Sequence, residues 1–182
     1  MKSGVQIRPL IDRSCIRARV WELARRISTD YATRMPLLIG VLDGARAFLE
    51  ELRELLSIPV DCAFLHIATY GGERHSSGSV RLLEDVPLSP KGRQVLVIED
   101  IVDTGLTLEY VRRHLLDLGA SEVRTCVLLD KAAHRKVNVR LDYVGFKVPD
   151  VFVVGYGLDW AGRYRELPYV GALEESRPAT EG

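Results

Sequence analysis

The residues best suited to chemistry stand in one string, Val95-Leu-Val-Ile-Glu99-Asp100-Ile-Val-Asp103-Thr104-Gly105-Leu106-Thr107. Residues 95–98 are continuously aliphatic, the pattern of a strand covered on both faces. Two adjacent acids follow, then a Thr-Gly-x-Thr turn that opens a helical pattern. These residue types suit a phosphate ester. The first backbone N–H groups of a helix have no intrahelical partner, and the helix field favours an anion there. Gly105 lets the main chain come close, and the Thr104 and Thr107 hydroxyls add donors. Glu99 and Asp100 suit a hydrated Mg²⁺ or the hydroxyls of a sugar. An ordinary capped crossover helix accounts for Asp103 or Thr104 alone. It leaves two acids beside a buried strand unexplained, so the string reads as a phosphate-binding turn.

Such a turn needs a scaffold, because ligands of open parallel sheets bind at the carboxyl ends of the strands. Asp12 is placed to cap a helix carried by Ile16, Val20, Leu23, Ile27 and Tyr31, which Met35-Pro36 should end. Residues 37–42 read as a buried strand. Ala45, Phe48, Leu49, Leu52 and Leu56 mark a second helix. After Pro59, residues 60–69 read as a strand. Residues 70–78 lose all apolar period and read as a mobile loop, with a strand edge at 80–83 beyond it. Leu108, Val111, Leu115 and Leu118 predict a helix closed by Gly119, and residues 123–129 another buried strand. Shorter β-like runs follow at 151–154 and 169–173. The expected class is α/β: a central, mainly parallel sheet flanked by helices, with right-handed crossovers.

Bulk properties exclude several functions. The chain has 182 residues, enough for one domain with a real core. It carries 25 Lys and Arg against 25 Asp and Glu. A balanced charge points to no nucleic-acid footprint and no membrane-surface patch. Cys15, Cys62 and Cys126 are an odd, unspaced set, against a disulfide framework or a zinc site. His66, His75, His114 and His134 lack metal-ligand spacing. No run approaches transmembrane length, and no leader-like apolar segment opens the chain, so the expected location is cytoplasmic.

The string at 95–107 resembles the phosphoribosyl pyrophosphate motif of type I phosphoribosyltransferases. The resemblance covers roughly residues 36–173. Leu129-Asp-Lys131, Asp142-Tyr-Val-Gly-Phe146, Pro149-Asp150 and Phe152-Val-Val-Gly-Tyr-Gly-Leu-Asp159 are similar to hypoxanthine-guanine phosphoribosyltransferases. Thr69-Tyr70 with Ser76-Ser77-Gly78 resembles that family's catalytic flap. The implied reaction joins a 6-oxopurine to phosphoribosyl pyrophosphate, with Mg²⁺, and yields IMP or GMP plus pyrophosphate. The family also implies a homodimer or homotetramer.

On this resemblance Asp103, Thr104, Gly105, Leu106 and Thr107 cradle the ribose 5-phosphate, and Asp103 is also the general base. Glu99 and Asp100 face the ribose hydroxyls and Mg²⁺. Lys131 donates to the purine 6-oxo group, Phe152 stacks on the base, and Val153 contacts it through its main chain. Asp159 borders the base and is a further metal ligand. Arg165 contacts pyrophosphate, together with the loop at Asp43 and Gly44. Tyr70 closes over the reacting centre. One departure is plain: the family usually carries Leu-Lys-Gly where this chain has Leu42-Asp43-Gly44. The Asp43 carboxylate is therefore expected to turn away from pyrophosphate, towards solvent or a partner subunit. Trp160 for tyrosine and Thr69 for serine are milder changes.

The implied organisation is one phosphoribosyltransferase domain over residues 1–182. Its core spans about 35–145, a hood comes from about 1–34 and 146–174, and residues 175–182 form a flexible tail. Two alternatives stand beside the enzyme: a nucleotide-sensing regulator on the same fold that binds nucleic acid, and a transferase for xanthine or another base. A regulator should show a basic face, which the balanced charge does not favour.

Overall fold

The computed structural model describes residues 5–70 and 79–175. Its elements are β1 Val5–Ile11, α1 Arg13–Asp30, β2 Leu37–Leu42, α2 Arg46–Leu55, β3 Asp61–Tyr70, β4 Ser79–Glu84 and β5 Gln94–Val102. They continue with α3 Leu106–Asp117, β6 Glu122–Asp130, a 3₁₀ turn Ala132–His134, β7 Tyr143–Lys147, β8 Val153–Val154 and β9 Val170–Glu175. Of the loop expected at 70–78 and the tail expected at 175–182, Tyr70 ends β3 and Glu175 ends β9, while residues 71–78 and 176–182 lie outside the described residues.

Six strands form the main sheet in the order β4-β3-β2-β5-β6-β7. β2, β3, β5, β6 and β7 are mutually parallel, and β4 runs antiparallel on the edge. The continuous apolar runs follow from two covered faces. In β5, Leu96 and Ile98 join the core shared with α1 and α2, whereas Val95 and Val97 join the core shared with α3. Side chains alternate across a strand, so both sets must be apolar. On the helices the buried positions fall at helical spacing: Ile16, Val20, Leu23 and Ile27 on α1, and Leu108, Val111 and Leu115 on α3. Asp12 makes no side-chain capping bond, so burial of that stripe, not the cap, carries α1. The helix also ends at Asp30, ahead of Met35-Pro36, with Tyr31 fully buried behind it.

A second, three-stranded sheet has the order β1-β9-β8 and is antiparallel throughout. Sequence patterning missed β1. Pro9 interrupts its run, and its partner β9 lies at the far end of the chain. The first 34 residues divide in the fold: β1 enters the small sheet, while α1 packs on α2 and β7 of the main one.

Residues 155–169 connect β8 to β9 and are tied back to α2. The Tyr156 hydroxyl donates to Glu51 Oε2 at 2.6 Å, and Arg13 Nη1 lies 3.2 Å from the same oxygen. Burial and then that hydrogen bond keep the phenol proton on well above its ordinary range, so Tyr156 is a donor at any working pH. Tyr156→Phe leaves a largely buried carboxylate with one partner fewer. Urea unfolding should show a loss of about 1.5–3 kcal/mol with the slope unchanged. A stability within error of the parent would mean that this tether does not hold the segment.

Candidate active site

β5 does not stop at the aliphatic run. Its ladder with β2 ends at Gly40↔Ile98, while its ladder with β6 continues to Val102↔Asp130. Glu99 and Asp100 are therefore strand residues, paired on one side and facing a crevice on the other. β2 leads to β3 on one side and β5 returns on the other, so the crevice sits where strand order reverses. Open α/β sheets place their ligands at this kind of point.

Both acids are nearly out of water, at 7% exposure for Glu99 and 9% for Asp100. Desolvation, then the neighbouring Asp100 charge, pushes Glu99 well above the usual carboxylate range. Asp100 is pushed up to about 6, again chiefly by burial. The Ile101 N–H, which donates to Asp100 Oδ1 at 2.9 Å, opposes that rise. Among the described residues, Glu99 Oε2 is buried without a hydrogen-bond partner, and so is Asp103 Oδ1. A buried acidic oxygen left without a partner in the protein suits a cation or a donor from a ligand.

The turn after β5 is braced from outside. Gly105 stands at the start of α3 with φ of +84°, a conformation open to glycine, and a Cβ there would press on Arg135 and Val137 at 3.1 Å. The Thr104 carbonyl accepts from the Lys136 N–H at 2.9 Å and the Val137 N–H at 3.3 Å. Thr104 Oγ1 accepts from the Leu106 N–H at 3.4 Å. Arg135 donates to the Asp103 carbonyl at 2.9 Å, the Val102 carbonyl at 3.3 Å and Asp130 Oδ1 at 2.5 Å. Sequence reasoning missed Arg135, whose only signal is its place four residues beyond Lys131.

Beside this turn the Lys131 Nζ lies 3.3 Å from Asp103 Oδ2 and 3.8 Å from Asp150 Oδ1. His134 Nε2 is 3.0 Å from the same Asp150 oxygen. The fold thus brings a cationic donor against an acceptor whose second oxygen is unpartnered. Phe152, two residues beyond Asp150, keeps 43% of its surface exposed, unusual for a large apolar ring. Val153 is buried in β8.

The Leu42-Asp43 peptide is cis. A Cβ on Gly44 would overlap the Asp100 carboxylate, so glycine alone lets the β2 turn lie on the acids. Arg165 Nη2 is 2.9 Å from Asp159 Oδ1 and 3.5 Å from Asp43 Oδ2. The Asp43 carboxylate, expected to turn to solvent or a partner, faces Arg165. Asp159 also accepts from the Gly162 N–H at 2.7 Å. Glu99, Asp100 and Asp159 do not gather round one point: among the described residues no three His, Cys, Asp or Glu side chains are placed to hold a metal. Tyr70 ends β3, but its side chain and the flap expected after it lie outside the described residues.

With this geometry in view, residues 13–160 match the family model described as a phosphoribosyl transferase domain. The chain is 41% identical to the hypoxanthine-guanine phosphoribosyltransferase of Bacillus subtilis, over 96% of each chain. It is 44% identical to that of Streptococcus mutans over 85% of this chain and 86% of the relative. A crystal structure of a hypoxanthine-guanine phosphoribosyltransferase from Bacillus anthracis superposes with a TM-score of 0.87 at 35% identity. That match covers 94% of this chain and 99% of the other.

The buried acids make stability depend on pH. A carboxyl whose folded pKa is raised contributes stability that is complete below its unfolded value, about 4, and is lost as pH rises through the folded value. For Asp100 that upper limit is about 6. Asp100→Asn, melted in chelator, should therefore be more stable than the parent at pH 8, by on the order of 2–3 kcal/mol, and no more stable at pH 4. Equal gains at both pH values would show that burial of the charge is not the cause.

Proposed function

The chain belongs to the hypoxanthine-guanine phosphoribosyltransferases, within the phosphoribosyl transferase domain family, and we propose that it transfers the 5-phosphoribosyl group of phosphoribosyl pyrophosphate to a 6-oxopurine. The products are IMP or GMP and pyrophosphate. The observation that carries the choice of base is the 3.3 Å pairing of Lys131 Nζ with Asp103 Oδ2. A 6-oxopurine bears an acceptor, O6, next to N7–H, a donor. The lysine and the aspartate offer the complementary donor and acceptor side by side. Adenine places an amine where O6 would be, so two donors would meet.

In this reading the purine inserts across the ion pair. Lys131 donates to O6, Asp103 accepts the N7 proton as N9 bonds to the ribose carbon, and pyrophosphate departs with the bonding electrons. Phe152 stacks on the ring and Val153 meets it through the main chain. The first turn of α3, with Thr104, Gly105, Leu106 and Thr107, holds the 5-phosphate. Arg165 and the Asp43-Gly44 turn border the leaving pyrophosphate.

The orphaned Glu99 oxygen beside Asp100 fits a divalent cation bound through ribose hydroxyls or water, and Mg²⁺ is the cation of this reading. Bound there, it supplies positive charge to the pyrophosphate as it leaves. A site of few carboxylates is completed by substrate oxygens, in keeping with the lack of a preformed cluster among the described residues. Among the described residues no helix is long and apolar enough to cross a membrane. A cytoplasmic location and a homodimer or homotetramer belong to the same proposal.

The deciding experiment incubates the protein with phosphoribosyl pyrophosphate, Mg²⁺ and each common base. IMP and GMP should form, AMP should not, and excess chelator should stop the reaction. No nucleotide from any 6-oxopurine sinks the proposal. Lys131→Met should lower kcat/KM for hypoxanthine by about ten- to a hundredfold, the cost of an unpaired polar partner, with donor KM little changed. Collapse of donor affinity with base affinity intact would reassign Lys131.

A further inference from the structure

Position 43 is where this chain leaves its family's pattern. An acid stands where a lysine is usual, two units of formal charge away, at the edge of the crevice. The backbone around it is closely confined. Gly44 lies against the Asp100 carboxylate, and its carbonyl lies against Gly157, whose φ is +98°. The Gly157 N–H donates to the Arg165 carbonyl at 3.0 Å. Main-chain contacts therefore set the separation of Asp43 and Arg165, independently of their side chains.

Across that gap one nitrogen, Arg165 Nη2, serves both Asp159 at 2.9 Å and Asp43 at 3.5 Å. The Arg165 charge also reaches Asp100, whose acidity it increases. One guanidinium thus contacts two carboxylates, and its charge is felt by a third. The two acids on Nη2 differ in how firmly they are held. Asp159 is fixed by the Gly162 N–H at 2.7 Å. Asp43 is 56% exposed and makes the longer contact. A phosphate oxygen approaching Nη2 must displace one of them, and Asp43 is the weaker competitor.

On the reading of this site as a transferase that releases pyrophosphate, we propose that Asp43 is a positioning residue that competes with pyrophosphate for Arg165. It holds the guanidinium in the empty site and loosens the grip on pyrophosphate, both as product and as part of the donor. The exposure of the pair keeps the effect moderate, since water and salt screen it. An acid here trades donor affinity for product release.

The test is titration calorimetry of Mg²⁺-pyrophosphate, with donor KM and pyrophosphate inhibition measured alongside. Asp43→Asn should bind Mg²⁺-pyrophosphate about three- to tenfold more tightly at low salt, and donor KM should fall with it. Base KM should stay unchanged. The difference should shrink between about 0.05 and 0.5 M salt, as the screening length shortens. Asp43→Glu should keep parental affinity. In an Arg165→Gln background, Asp43→Asn should change little, because the shared partner is gone. Unchanged affinity in Asp43→Asn at low salt overturns the proposal. Weaker affinity also overturns it, and would make Asp43 a ligand of the metal or the product. Equal tightening without Arg165 overturns it too, leaving plain repulsion. A nucleotide assay on the same preparation separates the premises. Absence of IMP and GMP refutes the transferase reading and this role together. Their formation with unaltered pyrophosphate binding refutes the role of Asp43 alone.

Discussion

Two carboxylates kept out of water at the end of β5 set the terms for the rest of the site. Taking even one anion from water into a protein interior costs several kcal/mol after relaxation, and two adjacent acids repel each other as well. The fold meets that cost with the main sheet, whose two covered faces hold the strand in place. Among the described residues, one Glu99 oxygen is left without a partner. Such an arrangement is unfavourable for folding alone and becomes favourable when positive charge arrives. The stability of the fold and the charge at this end of β5 therefore draw on the same groups.

Around those acids the other components are held by main-chain contacts more than by one another. Arg135 collects carbonyls from the end of β5, so the turn into α3 is held by the protein itself. Gly44 and Gly157 let two backbones approach where any side chain would intervene. Preorganisation of this kind lowers the cost of orienting a substrate, which is the larger part of what a protein contributes when the reacting groups belong to the substrates. The Lys131–Asp103 pair follows the same logic: the fold itself sets a donor beside an acceptor, 3.3 Å apart.

The acid at position 43 shows how a scaffold of this kind is adjusted. The turn that carries Asp43 rests on Gly44, which lies against the Asp100 carboxylate. Asp43 shares Arg165 with Asp159. The charge around Arg165 is thus a local balance among neighbouring acids, apart from the Lys131–Asp103 pair.

Much of this protein was legible in the sequence because much of it is local. Continuous aliphatic runs specify strands covered on both faces, and apolar residues at helical spacing specify the helices that cover them. Two acids followed by Thr-Gly-x-Thr specify a turn able to hold a phosphate, since the required backbone freedom and donors lie within a few residues. Other features join segments far apart in the chain, and only the tertiary structure decided them. β1 needs β9 before its broken apolar run can pair as a strand. Burial of Glu99 and Asp100 depends on where β2 stops pairing and β6 continues. The orientation of Asp43 depends on Arg165, 122 positions away. Pattern along a chain reports what neighbouring residues prefer; the charge and solvation a side chain meets are set by whatever the fold packs against it.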